Sequence, residues 1–246
     1  MNLYLLTRQN GLGDVWFMPK KLLMNNHSEN GLTPVTDGLI CWLDGRDGKG
    51  TDTVWVDRSK NGNDFTLNGF TFTGDNGWTG RNLKTNFHEY AISKISLATE
   101  YTIEVDLFVD GVERGKQSTF FYFGDGNASG QWRETFLRRN SATENTLSVC
   151  NASHQKVIGD IAYKKYHLVL MGSQNRTCSY VESVKIYDVT RNNINSNFKA
   201  NFYLGCGWNL GNFSQARFNS VKIYNRVLTE EEIQQNYLYE KSIERG

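Results

Sequence analysis

Residues 216–237, reading ARFNSVKIYNRVLTEEEIQQNY, pass from a period of two to a helical period across one short corner. Apolar Val221 and Ile223 alternate with Lys222 and Tyr224, as in a half-buried strand. Thr229 stands three residues before Glu232, the spacing of a capping box, and Leu228 precedes Ile233 at the spacing of a hydrophobic staple. Two independent start signals therefore place a helix directly after a strand. Alternation returns upstream at 39–43, 65–72, 91–95, 102–110, 120–123, 131–137, 145–150, 166–171 and 183–189. Turn-forming residues separate these runs, as in Gly74-Asp-Asn-Gly77. SVKIYDV at 183–189 nearly repeats SVKIYNRV at 220–227, yet nothing between them shares a period, so the two are similar strands and not a solenoid repeat. The spacing of strands and turns is that of an all-β sandwich.

The closing strand and the run Ile223-Tyr-Asn-Arg-Val-Leu-Thr-Glu-Glu-Glu-Ile233 resemble the closing motif of laminin-G-like, concanavalin A-like jelly-roll domains. Such domains occur in many lectins, carbohydrate-binding modules and phage virion proteins. GLICWLDG at 38–45 and WVDRSKNGND at 55–64 are similar to the family's first strand and the D-x-S-x-N-G-N turn that follows it. His167-Leu-Val169 and Tyr203-Leu-Gly205 stand where the family has a strand entering the sheet and another leaving a turn. The resemblance implies an antiparallel two-sheet jelly-roll sandwich, concanavalin A-like, with a short C-terminal helix over residues 36–246, preceded by an N-terminal arm of residues 1–35. One jelly roll hosts many unrelated jobs, so function has to be argued from a site.

The bulk numbers exclude several classes. A hydrophobic content of 39%, an aromatic content of 13% and two prolines describe a chain with a sizeable core, not a disordered or fibrous one. A net charge of +1 supplies no cluster of cations for a phosphate backbone, so nucleic acid is not expected as a partner. The opening MNLYLLTRQNG carries an apolar run too short for a signal-peptide core or a membrane span, and the expectation is a product made without an export signal. Cys41, Cys150, Cys178 and Cys206 are scattered with no C-x-x-C pair, which argues against zinc. Their even number permits two disulfides, and free buried thiols are the simpler reading.

The arm is too apolar for a solvated tail, with Leu3, Tyr4 and Leu5 and then Val15, Trp16, Phe17 and Met18. Two readings stand: it folds back onto the sandwich, or it docks against another chain in an assembly. In the loop Asp44-Gly-Arg-Asp-Gly-Lys-Gly50 the residues read as a turn and lack the ligand order of an EF-hand. Relatives of this fold bind calcium in loops, so the resemblance leaves calcium open there; no other cofactor and no metal site is expected. Asp57 is expected to hold its turn by accepting backbone hydrogen bonds.

Thr102-Ile-Glu-Val-Asp-Leu-Phe-Val-Asp110 carries the strongest catalytic temptation. Retaining glucanases of this jelly-roll class use Glu-x-Asp-x-Glu or Glu-x-Asp-x-x-Glu, and Glu104 and Asp106 match the first two positions. Phe108 and Val109 occupy the places of the acid/base glutamate, and Asp110 lies roughly 20 Å from Glu104 along an extended strand. Two carboxyls of a retaining pair stand about 5–5.5 Å apart. His27, His88, His154 and His167 never fall at metal-ligand spacing, and no nucleophile elbow, P-loop or dinucleotide fingerprint appears. No catalytic residue is assigned.

A binding surface remains. Sugars stack apolar CH faces on aromatic rings while their hydroxyls take planar polar side chains. Trp78, Trp132 and Trp208 lie beside turns with Asn76, Arg133 and Asn209 near in sequence, and these six are the candidate glycan ligands, against the plainer reading of each tryptophan as packing. The sequence-based expectation is a non-enzymatic structural or adhesion protein of a phage virion, a head decoration, fibre or tail component made in the host cytoplasm. Its partners would be other virion proteins or its own copies through residues 1–35, as a homo-oligomer or part of a larger assembly. The alternative is a lectin module recognising host surface glycans, and a glycoside hydrolase ranks third.

Overall fold

A computed structural model describes residues 4–6, 16–18, 32–49, 52–74, 77–81, 89–111, 118–124, 135–139, 146–151, 154–160, 163–190, 198–207 and 210–243. In chain order the strands are β1 (Tyr4–Leu6), β2 (Trp16–Met18), β3 (Leu39–Asp44), β4 (Val54–Trp55), β5 (Phe65–Asn68), β6 (Thr71–Phe72), β7 (Trp78–Arg81), β8 (Tyr90–Leu97) and β9 (Tyr101–Gly111). There follow β10 (Ser118–Thr119), β11 (Phe121–Gly124), β12 (Thr135–Arg139), β13 (Thr146–Asn151), β14 (His154–Asp160), β15 (Lys165–Gly172), β16 (Arg176–Val181), β17 (Val184–Thr190), β18 (Phe198–Leu204) and β19 (Gln215–Tyr224). The helix α1 (Glu230–Ile243) comes last. The chain divides into two compact units, one of residues 37–228 and one of residues 1–36 with 229–246.

The larger unit is the antiparallel sandwich. One sheet of eight strands runs β17-β16-β15-β9-β19-β7-β6, with β3 also paired to β19. A second runs β11-β18-β8-β5-β4, and a four-stranded sheet runs β10-β12-β13-β14. Phe120 is the hinge by which the chain passes from β10 in the small sheet to β11 in the five-stranded one. The two large sheets are joined by alternate side chains. Ile103, Val105, Leu107, Leu168, Leu170, Val221 and Ile223 from one sheet share a single cluster with Phe65, Ala91, Ile95, Phe121, Phe123 and Phe202 from the other. Each such burial contributes about 1.5–3 kcal/mol for the larger side chains. Phe123 stacks on Phe202 with centroids 4.5 Å apart, inside the five-stranded layer.

β19 organises the large sheet. One edge lies along β9, while the other is divided: residues 220–224 pair with β3 and residues 215–218 with β7, with a break in register between Phe218 and Ser220. At that junction Gly77 has φ +73, and a Cβ there would stand 2.1 Å from the Phe218 carbonyl oxygen, so only glycine fits. The free edge at β17 carries Lys185 and Asp188, charges that discourage further pairing.

In the smaller unit β1 pairs with β2, Tyr4 opposite Met18. The α1 capping box forms as its spacing predicts: the Thr229 amide donates to Glu232 Oε2 at 2.9 Å and the Glu232 amide to Thr229 Oγ1 at 3.2 Å. From the helix Asn236 accepts the Val35 amide at 2.8 Å, and Gln235 donates to the Thr33 carbonyl at 2.9 Å. Among the described residues no helix is long and apolar enough to cross a membrane. All four cysteines are free and buried.

Candidate functional site

β8 sorts its side chains cleanly. Ala91, Ser93, Ile95 and Leu97 are buried, while Tyr90, Ile92, Lys94 and Ser96 point to the other face, half-buried or exposed. Strand pairing extends that outward face sideways. Asn68 lies opposite Tyr90 on one flank; on the other Tyr203 lies opposite Ile92 and Asn201 opposite Lys94. One strand further, Tyr122 lies opposite Tyr203. Three phenol rings therefore form a row across β8, β18 and β11, with centroids 6.3 Å apart for Tyr90–Tyr203 and 6.1 Å for Tyr122–Tyr203. Tyr122 is only 4% exposed and packs with Cys150, which fixes the inner end of the row. Tyr90 and Tyr203 remain half-buried. Burial, with a lesser contribution from Cys206, pushes the Tyr203 phenol above its ordinary range, and a hydrogen bond to the Asn201 side chain works the other way. The Tyr203 hydroxyl thus stays a neutral donor and acceptor at ordinary pH.

Past Lys94 and Ser96 the surface sinks into an open depression of about 340 Å³, completed by Ile40, Asn61 and Asn63. Its wall is the D-x-S-x-N-G-N turn, held as its sequence predicts. The Asp57 carboxylate accepts from the Trp42 and Ser59 amides, each at 2.8 Å, from the Ser59 hydroxyl at 2.8 Å and from the Asn63 amide at 3.1 Å. Lys60 and Gly62 take positive φ, 66° and 74°, to make the turn. In the neighbouring loop Asp44 is paired with Arg46 and Arg58, and Asp47 with Arg58, so guanidinium groups supply the cation charge there. Among the described residues no group of three or more His, Cys, Asp or Glu could hold a metal ion.

The opposite, outward face of the eight-stranded sheet is chemically rich but closed. Glu104 and Asp106 are each 2% exposed, with Lys222 opposite Glu104 and His167 opposite Asp106 in the register. Lys165 pairs with Asp106 at 2.7 Å, and Lys222 donates to the Ser220 hydroxyl at 3.3 Å. Buried charges persist only when matched, and these carboxylates face cations. A polymer cannot reach them in this arrangement.

Trp78 belongs to the core: its ring has no exposure and packs on Phe72 at 5.4 Å and Trp55 at 6.4 Å. It offers no face to a sugar. Trp132, Trp208, Asn76, Arg133 and Asn209 lie outside the described residues. The tyrosine row escaped sequence reasoning because Tyr90, Tyr122 and Tyr203 are far apart in the chain and meet only through the pairing of three strands. The outward polar alternation of β8 was the signal available.

No family model matches the chain, and no curated protein matches it. Solved structures do. Trypanosoma rangeli sialidase in complex with sialic acid superposes with a TM-score of 0.68 at 17% identity over 87% of this chain. The match spans 35% of the sialidase chain, about a third of its length. Domain 4 of AbnA, a GH43 extracellular arabinanase from Geobacillus stearothermophilus, in complex with arabinotriose, gives 0.56 at 15% identity, over 81% of this chain and 98% of that one. Botulinum neurotoxin type C, whose cell entry depends on interaction with two ganglioside molecules, gives 0.58 at 12% identity over 85% of this chain and 52% of that one. The fold is therefore an antiparallel β-sandwich, shared with parts of these proteins.

These matches correct two expectations. The phage virion role, with virion proteins as partners, finds no support in them; the likeness runs instead to carbohydrate-active proteins. The non-enzymatic reading is corrected too, because the sandwich recurs within sialidase chains, one of them a covalent intermediate. A missing third carboxylate after Asp106 excludes the glucanase strand alone.

Proposed function

We propose that this chain engages glycans through the outward face of its five-stranded sheet, as the sugar-recognising sandwich of a carbohydrate-active protein. The observation that carries this reading is the row of Tyr90, Tyr203 and Tyr122, bordered by Asn68 and Asn201 and continued by Lys94 and Ser96 along β8. Phenol rings supply flat apolar faces for sugar CH groups, and the amides supply donors and acceptors for hydroxyls. The face is built on strands, so the rings are placed before a ligand arrives. The neighbours lend support: an arabinanase domain of matching extent is described in complex with arabinotriose, and the sialidase with sialic acid.

The test is calorimetric titration of the protein with arabinotriose, a neutral galacto-oligosaccharide and sialyllactose. Tyr203→Ala is expected to weaken binding of whichever sugar is taken by about 3–10-fold, the worth of one ring stack of ~0.5–1.5 kcal/mol. Tyr90→Ala should do the same. Binding that survives both substitutions unchanged would remove the proposal.

A further inference from the structure

The depression at the Lys94 end of β8 carries an inference about what kind of sugar group the face selects, and it rests on the glycan-recognition reading above. Four polar side chains line it, and their unused hydrogen-bonding capacity differs in kind. Asn61 donates its amide nitrogen to the Leu39 carbonyl at 3.3 Å and the Ser59 hydroxyl at 2.9 Å; Asn63 donates its own to the Ile40 carbonyl at 2.7 Å. A carbonyl oxygen can only accept, so these bonds fix both amide orientations and leave the two Oδ1 atoms as free acceptors. Among the described residues the side chains of Lys94 and Ser96, exposed on β8, have no ion pair or hydrogen bond, so their donors remain available.

An ammonium group alone would suit an anion, but this one stands among acceptors. Two side-chain amide oxygens therefore share the depression with the ammonium group. A carboxylate or sulfate entering here would accept from Lys94 and Ser96 but has no donor to offer the two amide oxygens. A hydroxyl is donor and acceptor at once, and two neighbouring hydroxyls on one ring can donate to Asn61 and Asn63 while accepting from Lys94 and Ser96.

We propose that this depression is a subsite for an uncharged sugar residue bearing two adjacent hydroxyls, at the end of a chain lying along β8 from Tyr90. From Tyr90 to Lys94 is roughly 13 Å along the strand, so the stacking rings and the subsite hold different residues of one oligosaccharide. The volume of about 340 Å³ is at the lower end of the ~300–1,000 Å³ of small-molecule sites and fits a chain end.

The experiment titrates the native protein, Lys94→Met and Tyr203→Ala with arabinotriose, a galacto-oligosaccharide, their monodeoxy analogues at the terminal residue, and sialyllactose. Lys94→Met keeps the length of an exposed side chain, and circular dichroism confirms its fold. The expected result is about a tenfold loss for the hydroxylated neutral sugars in Lys94→Met, the scale of one charge-assisted hydrogen bond. The deoxy analogue should bind native and variant alike. If Tyr203→Ala weakens binding but Lys94→Met does not, the subsite is overturned and the tyrosine face stands. If Lys94→Met removes binding of sialyllactose alone, the subsite reads an anion and the proposal is wrong. If no sugar binds the native protein, this inference falls together with the reading it rests on.

Discussion

Asp57 shows how much one side chain holds. Its four hydrogen bonds tie β3 to the turn that lines the depression, and it is 5% exposed. Asp57→Ala leaves those donors without their acceptor and should cost about 2–4 kcal/mol in urea unfolding. Asp57→Asn keeps one acceptor oxygen and should cost less; equal costs would mean that the carboxylate is not what holds the turn. The buried thiols set the alkaline limit. Burial raises the Cys41 thiol well above the ordinary thiol range and pushes Cys206 up to about 12. Between pH 9 and 12 the unfolded chain loses these protons while the folded chain keeps them, so stability is full below pH 9 and falls as pH rises through that window. Cys206→Ala should flatten the fall measured by unfolding at pH 8 and pH 11; an unchanged slope would assign it to other groups.

At the scale of elements, two substitutions separate local from shared structure. Thr229→Ala removes one half of the α1 capping box and should cost about 0.5–2 kcal/mol. Gly77→Ala should cost more, because it needs a positive φ and drives a Cβ into the Phe218 carbonyl where β3 and β7 meet along β19. Thermal melting of both variants checks the order, and a smaller effect at Gly77 would contradict the divided edge. These elements also mark what the sequence could disclose. Period-two alternation located β8, β9, β15 and β19, and two side-chain signals located α1. The run at 65–72 read as one strand, yet β5 and β6 enter different sheets, because alternation carries no information about partners. The candidate tryptophans came from their nearness to turns, and Trp78 shows the weakness of that signal: a turn can deliver a ring to the core as readily as to solvent. The tyrosine row required the register of three strands.

For the molecule as a whole, the two outward faces of the sandwich carry opposite chemistry. One buries Glu104, Asp106, His167 and Lys222, with Lys165 paired to Asp106; the other sets Tyr90, Tyr203, Asn68 and Asn201 on a half-buried surface. Glycan engagement on the second face is the central claim, and ring-labelled tyrosine NMR during titration with arabinotriose and sialyllactose tests it most directly. The account predicts saturable shifts of the Tyr90 and Tyr203 ring signals with the sugar that binds. Saturable binding with both of these signals unmoved would contradict it.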